Sequence, residues 1–122
     1  MVLIIGGAYQ GKLDFAKEHF DIQGVFSCEG PEIDFSKNCI CNLEKFSLAC
    51  VRNGMEPADY LKEHRDQWRD VVFICRDIFC GVVPMGAENR AWRQATGRMV
   101  QYLSREADRV SRIFCGLEQR LK

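Results

Sequence analysis

The stretch Gly6-Gly7-Ala8-Tyr9-Gln10-Gly11-Lys12-Leu13 carries the clearest chemical signal in the chain. Gly6, four further residues, then Gly11 and Lys12 stand at the G-x-x-x-x-G-K spacing of a phosphate-binding loop. Small residues at such a turn let backbone N–H groups converge on phosphate oxygens. The helix that follows turns its positive end toward the same anion, and the lysine reaches the β- and γ-phosphates. An apolar run, Val2–Ile5, precedes the loop and an amphipathic segment follows it, which is the setting the motif requires. On this reading residues Gly6, Gly7, Ala8, Tyr9, Gln10, Gly11, Lys12 and Leu13 bind the phosphates of a nucleotide, and Lys12 is also a candidate catalytic group. The competing reading is a glycine-rich strand–helix turn with no ligand.

Position 13 departs from the pattern. Ser or Thr is expected there, with its hydroxyl on Mg²⁺, and Leu13 has no oxygen to offer. Phosphate cradling by the backbone and Lys12 survives this change, but placement of the ion is weakened. Phosphoryl transfer depends on positioning and electrostatic stabilisation, so the change threatens rate more than binding. The second candidate group is Asp77, just past the apolar run Val71–Arg76. Ligands of open α/β sheets gather at the carboxyl ends of strands, so Asp77 is the candidate metal ligand and second catalytic residue. A turn or helix-capping aspartate is the alternative, and Arg76 beside it could neutralise it in an ion pair.

Seven cysteines occur in 122 residues, with no CxxC pair. An odd count and no secretory signal fit free thiols in a reducing, cytoplasmic setting. Cys39 and Cys41, with Cys28 or Cys50, could share a zinc ion, but the spacings do not match the usual sites. Buried small apolar groups explain most of the thiols better. Lys plus Arg equals Asp plus Glu at 17 each, which argues against a nucleic-acid or membrane partner for the chain as a whole. The longest apolar runs are far too short to cross a bilayer. The charge is uneven: residues 1–61 hold five basic and nine acidic side chains, and residues 85–122 hold eight and four. That pattern reads as a solvated helix face, or as a face for an anionic ligand or an acidic neighbouring subunit.

Positioning the loop and Asp77 requires a particular scaffold. Val2–Ile5, Gly24–Cys28, Val71–Arg76 and Val110–Cys115 read as strands; continuous apolar runs imply burial on both faces, as in a parallel sheet. Lys12–His19, Leu43–Arg52 (stopped by Asn53-Gly54), Pro57–Trp68 and Ala87–Ala107 read as helices. In the last, Trp92, Ala95, Met99, Tyr102 and Leu103 form an apolar stripe, and Arg90, Arg93, Arg98 and Arg105 lie largely away from it. The alternation predicts one three-layer α/β domain over residues 1–122 with a mostly parallel sheet.

The carboxyl-terminal part resembles a known family. Arg76-Asp77-Ile78-Phe79-Cys80-Gly81-Val82-Val83-Pro84 is similar to the Asn-Glu-Val-Gly-x-Gly-Ile-Val-Pro segment of adenosylcobinamide kinase/adenosylcobinamide-phosphate guanylyltransferases. Arg90-Ala91-Trp92-Arg93, Gly97–Leu103 and Ala107–Val110 resemble that family's long helix and final strand. Gly116-Leu117 and Leu121-Lys122 are similar to its closing Gly-x-Pro-x-x-x-Lys pattern, with Glu118 in place of proline. Gly6-Gly7-Ala8 through Lys12 resembles its phosphate loop, with Tyr9-Gln10 in place of Arg-Ser.

The resemblance implies a RecA-like P-loop NTPase fold and a homotrimer. It also implies phosphorylation of the aminopropanol hydroxyl of a cobinamide-type small molecule, then GMP transfer from GTP. In the family that second step runs through a guanylylated histidine in a His-x-x-Arg-Arg-Pro-like segment. This chain has only His19 and His64, neither with those neighbours. Lys37–Gly54 is a distant counterpart of the family's Asp-Cys-Leu-Thr-Leu-Trp strand and helix, which would make Lys37–Cys41 a fifth strand and set Asn38-Cys39 against Asp-Cys. The expectation is a shortened member that binds GTP or ATP. It retains cobinamide kinase activity with Mg²⁺ and lacks guanylyltransfer, or is a non-catalytic nucleotide-binding or oligomer-forming relative.

Overall fold

A computed structural model describes residues 1–7, 10–79 and 86–122. Ala8 and Tyr9, expected to bind phosphate, and residues 80–85 of the family-like segment lie outside the described residues.

Six strands form one sheet. They are β1 (Val2–Gly6), β2 (Val25–Ser27), β3 (Cys39–Cys41), β4 (Val72–Arg76), β5 (Arg109–Phe114) and β6 (Leu117–Arg120). The order across the sheet is β2-β3-β4-β1-β5-β6. The first five run parallel, and β6 returns antiparallel to β5. The helices are α1 (Lys12–His19), α2 (Leu43–Arg52), α3 (Pro57–Glu63) and α4 (Ala87–Glu106), with a 3-10 turn at Arg65–Gln67. The expected mostly parallel α/β architecture is therefore present.

The layers are unequal. One face of the sheet offers Leu3, Ile40, Phe73, Cys75 and Val110 to Phe46 of α2, Leu61 of α3, and Met99 and Leu103 of α4. The other offers Ile4, Cys39, Val72, Ile74 and Ile113 to Phe15 and Ala16 of α1. Leu3 and Ile4 are consecutive and both fully buried, on opposite faces. This two-sided burial is why β1 reads as an unbroken apolar run.

Three boundaries differ from expectation. The helix expected over Pro57–Trp68 ends at Glu63. The His64 ring stacks on Tyr60, and its Nδ1 lies 2.7 Å from the Tyr60 carbonyl. Trp68 keeps the helical spacing of a buried residue because its indole N–H donates to the Leu61 carbonyl at 2.8 Å. The fifth strand expected at Lys37–Cys41 is present but short, and β6 was not anticipated. It follows a two-residue turn in which Cys115 (φ 51°) and Gly116 (φ 76°) both take left-handed backbone, as tight hairpin turns of this type require.

Part of the uneven charge closes on itself. Arg98 of α4 holds Glu56 with two bonds, at 3.2 and 2.9 Å. Arg52 pairs with Glu88 and Arg65 with Glu106. These exposed pairs contribute little each to stability; the first two join residues 1–61 to residues 85–122, and the third joins the stretch between them to α4. The α4 stripe is Ala95, Thr96, Met99 and Leu103, with Trp92 and Tyr102 half-buried at its margins.

The thiols are mostly core. Cys28, Cys39, Cys50 and Cys75 are buried and Cys115 is exposed. Burial pushes Cys28 up to about 12, and Cys39 and Cys50 up to about 11. Among the described residues, no three His, Cys, Asp or Glu side chains are grouped to hold a metal ion. Since the thiolate is the nucleophile, iodoacetamide at about pH 8 should label Cys115 first and spare Cys28, Cys39, Cys50 and Cys75 until the protein unfolds. Mass mapping that found Cys28 modified as fast as Cys115 would contradict this packing.

Candidate functional site

The carboxyl ends of β1, β3 and β4 meet at one edge of the sheet, and the chain leaves β1 there into the glycine loop. Gly6 is needed because β5 lies against it: a Cβ at this position would stand 2.6 Å from the Ile113 carbonyl oxygen. Gly11 takes φ 84°, a left-handed conformation that costs other residues energy. From there α1 starts without a side-chain cap, leaving its first amides for a ligand. The far shoulder of the loop is clamped to the β5–β6 turn. Gln10 accepts Gly116 N–H on its carbonyl at 3.0 Å and Cys115 N–H on its side-chain oxygen at 2.6 Å. Gln10, which stands where the family resemblance has serine, therefore has a structural role.

Lys12 crosses the loop. Its ammonium donates to the Gly7 carbonyl at 2.6 Å. Partial burial lowers its pKa, and the Glu44 carboxylate is the foremost influence in the other direction. An ammonium so placed has lost part of its hydration and gains from an incoming anion. Beside it lies an open cleft of about 270 Å³, lined by Gln10–Asp14, Cys41, Asn42 and Ile74. That volume is below the usual range for whole-ligand pockets and suits a phosphate chain better than an entire nucleotide. Leu13 lines the cleft and packs against the α1-side core, so the side chain at this position serves the core.

Asp77 stands one residue past β4. Its N–H donates to the Gly6 carbonyl at 2.7 Å, and its Oδ1 accepts the Phe79 N–H at 3.0 Å. It thus joins the end of β4 to the start of the loop, and its side chain caps a turn, as the alternative reading expected. The structure brings Lys12, Gly6, Gly7, Gln10, Gly11 and Leu13 together at one end of the sheet, with Asp77 adjoining through Gly6.

One expected correspondence lies away from the loop. Asn38, set against the aspartate of the family's Asp-Cys pair, precedes β3 at the amino ends of the strands, opposite the loop. There its Oδ1 accepts Gln23 and Gly24 N–H and its amide donates to the Asp21 carbonyl. Cys41 and Asn42 occupy the carboxyl end of β3 instead.

Glu44 was missed. It lies in the first turn of α2 yet is only 6% exposed. Its Oε1 accepts Arg76 N–H at 3.0 Å. Its own carbonyl accepts Ser47 Oγ–H and Trp92 Nε1–H, both at 2.9 Å, and Ser47 is bonded to Thr96 at 2.7 Å. An acid in a first helical turn is too common to signal a site; only the sheet geometry marks this one.

A family model described as cobinamide kinase / cobinamide phosphate guanyltransferase matches residues 38–121. The match takes in α2 and α3 as well as the carboxyl-terminal segments, and begins beyond the loop. Among curated proteins none matches the chain. Among the described residues no helix is long and apolar enough to cross a membrane.

Proposed function

This chain belongs to the cobinamide kinase / cobinamide phosphate guanyltransferase family, whose place is in cobalamin biosynthesis, and from that premise we propose that it binds GTP or ATP by the phosphates at residues 6–13. The observation that carries the reading is the Lys12 ammonium held across a glycine loop at the open end of a parallel sheet. In this reading the amides of the loop and the first turn of α1 surround the β- and γ-phosphates. Lys12 exchanges the Gly7 carbonyl for a phosphate oxygen.

The activity we propose is phosphoryl transfer to the hydroxyl of a cobinamide-type acceptor. The hydroxyl oxygen attacks the γ-phosphorus, the bond to the bridging oxygen breaks, and the nucleoside diphosphate leaves while the hydroxyl gives up its proton to water. Mg²⁺, when bound, would neutralise charge on the phosphates, and a carboxylate at this end of the sheet has to meet it. Asp77 is the acid that the sequence singles out. Guanylyltransfer is not part of the proposal. His19 ends α1 and stacks on Phe15 at 4.1 Å, and His64 is stacked on Tyr60 at 4.2 Å. α1 runs away from the loop, and the segment holding His64 leads into the amino end of β4, so neither histidine supports a role as nucleophile at the phosphates.

A second reading, binding without catalysis, is favoured by Leu13 alone, since its packing leaves the ion without a hydroxyl.

Calorimetric titration of GTP and ATP into native protein and Lys12→Ala tests the binding. Hydrogen bonds to charged groups are worth roughly 1.5–3 kcal/mol, so the variant should bind about 10- to 100-fold more weakly. Equal affinities would contradict the reading. Transfer of labelled γ-phosphate to cobinamide by the native protein separates the kinase from the binding-only relative.

A further inference from the structure

β3 stops at Cys41 while β4 runs on to Arg76. In the register Cys39↔Val72 and Ile40↔Phe73, the last residues of β4 have no partner on that side. Glu44 fills the gap, and its Oε1 takes the Arg76 N–H at 3.0 Å. This puts a carboxylate at the carboxyl edge of the sheet, beside the strand whose Arg76 is paired with Gly6. Its rotamer is fixed by that bond, and its backbone by Ser47 and Trp92.

Among the described residues Glu44 forms no ion pair within 4.0 Å. Only Arg109 Nε is both sealed from solvent and without a partner among them. The second oxygen, Oε2, for which no donor is present there, therefore keeps contact with water. A buried carboxylate with a single amide donor is costly unless a cation compensates it. A phosphate bound at the loop adds negative charge at the same edge of the sheet, and Glu44 then needs a counter-charge.

We infer that Glu44, rather than Asp77, is the carboxylate that meets the divalent cation arriving with a nucleotide, through the cation's water shell and in place of the hydroxyl missing at Leu13. This rests on the proposed nucleotide binding at the loop. Asp77 then serves the β4–loop junction, where its Oδ1 already holds the Phe79 N–H. Glu44 is a positioning residue: it sets where the ion sits and makes nucleotide binding depend on it.

The test is titration of GTP and ATP, with Mg²⁺ or with chelator, into native protein, Glu44→Gln and Asp77→Asn. Glutamine keeps an oxygen for the Arg76 amide and removes the charge. Native protein and Asp77→Asn should both bind about tenfold more tightly with Mg²⁺ than without. Glu44→Gln should lose that difference, and should bind the metal-free nucleotide at least as tightly as native protein because a repulsion is gone. A Mg²⁺ enhancement that survives in Glu44→Gln, or vanishes in Asp77→Asn, overturns the inference while leaving nucleotide binding intact. Native protein that binds neither nucleotide overturns the binding proposal and this inference with it. If Glu44→Gln fails to fold by circular dichroism, Glu44→Asp, which withdraws the same charge by one methylene, should show a reduced enhancement; an undiminished one counts against the inference.

Discussion

Phe73→Ala should destabilise the protein by about 3–5 kcal/mol, the usual cost of emptying a buried phenylalanine site. Phe73 is fully buried in β4, between Ile40 of β3 and Leu3 of β1 in the strand register. Its ring meets Trp68 edge-on at 5.8 Å between centroids. The neighbours are strands locked by parallel ladders, so the hole has little room to collapse, and the transfer and cavity costs add. Domains of this kind are stable by roughly 5–15 kcal/mol, so the variant should melt far below native protein or fail to accumulate. Leu117→Ala is the control: Leu117 is 73% exposed, and its loss should stay within about 0.5 kcal/mol. Denaturant unfolding of both variants checks the contrast, and similar losses in the two would contradict the assigned core.

Gly6→Ala should combine a large stability loss with loss of nucleotide binding. The added carbon would meet the Ile113 carbonyl at 2.6 Å, and a backbone atom cannot rotate away as a side-chain tip can. β1 and β5 would have to part where the loop begins, straining the Asp77–Gly6 bond and the path of Lys12, whose Cγ and Cδ lie 3.4 Å from the same point. Overpacking of this kind costs about 1–3 kcal/mol, and a backbone clash belongs at the upper end. For a chain of this length the melting temperature should fall by roughly 10 °C. Affinity for GTP should drop at least about tenfold even where the variant remains folded. A variant that melts and binds like native protein would show that Gly6 is not pressed against β5.

How much of this was legible in the sequence follows from what each element buries. β1 and β4 were readable because consecutive residues, Leu3 with Ile4 and Phe73 with Ile74, face opposite cores. β3 is only Cys-Ile-Cys, and cysteine carries little strand signal; it came within reach through the resemblance alone. β6 is Leu-Glu-Gln-Arg and fully exposed, so no apolar pattern marks it, and the Cys115-Gly116 turn was its only trace. The loop was legible because its chemistry needs glycine and lysine at fixed spacing. Even there, one reason for Gly6 lay outside the local sequence: β5 excludes a side chain at this position. Glu44 was illegible because its burial is created by a strand ending short and a helix two residues later, a consequence of sheet register rather than of local sequence. The place of Asn38 was illegible for the same reason, since an alignment of residue types does not say at which end of a three-residue strand an amide will lie.

The central claim is that the turn after β1 receives a triphosphate. Backbone amide spectra of labelled protein, recorded as GTP or ATP is added, read this most directly. The largest shifts should fall on Gly7, Gln10, Gly11, Lys12 and Leu13, with smaller ones at Asn42 and Asp77 and little change along β6. Saturating shifts elsewhere that leave the Gly7–Leu13 amides unmoved, or no shifts at all, would contradict the account.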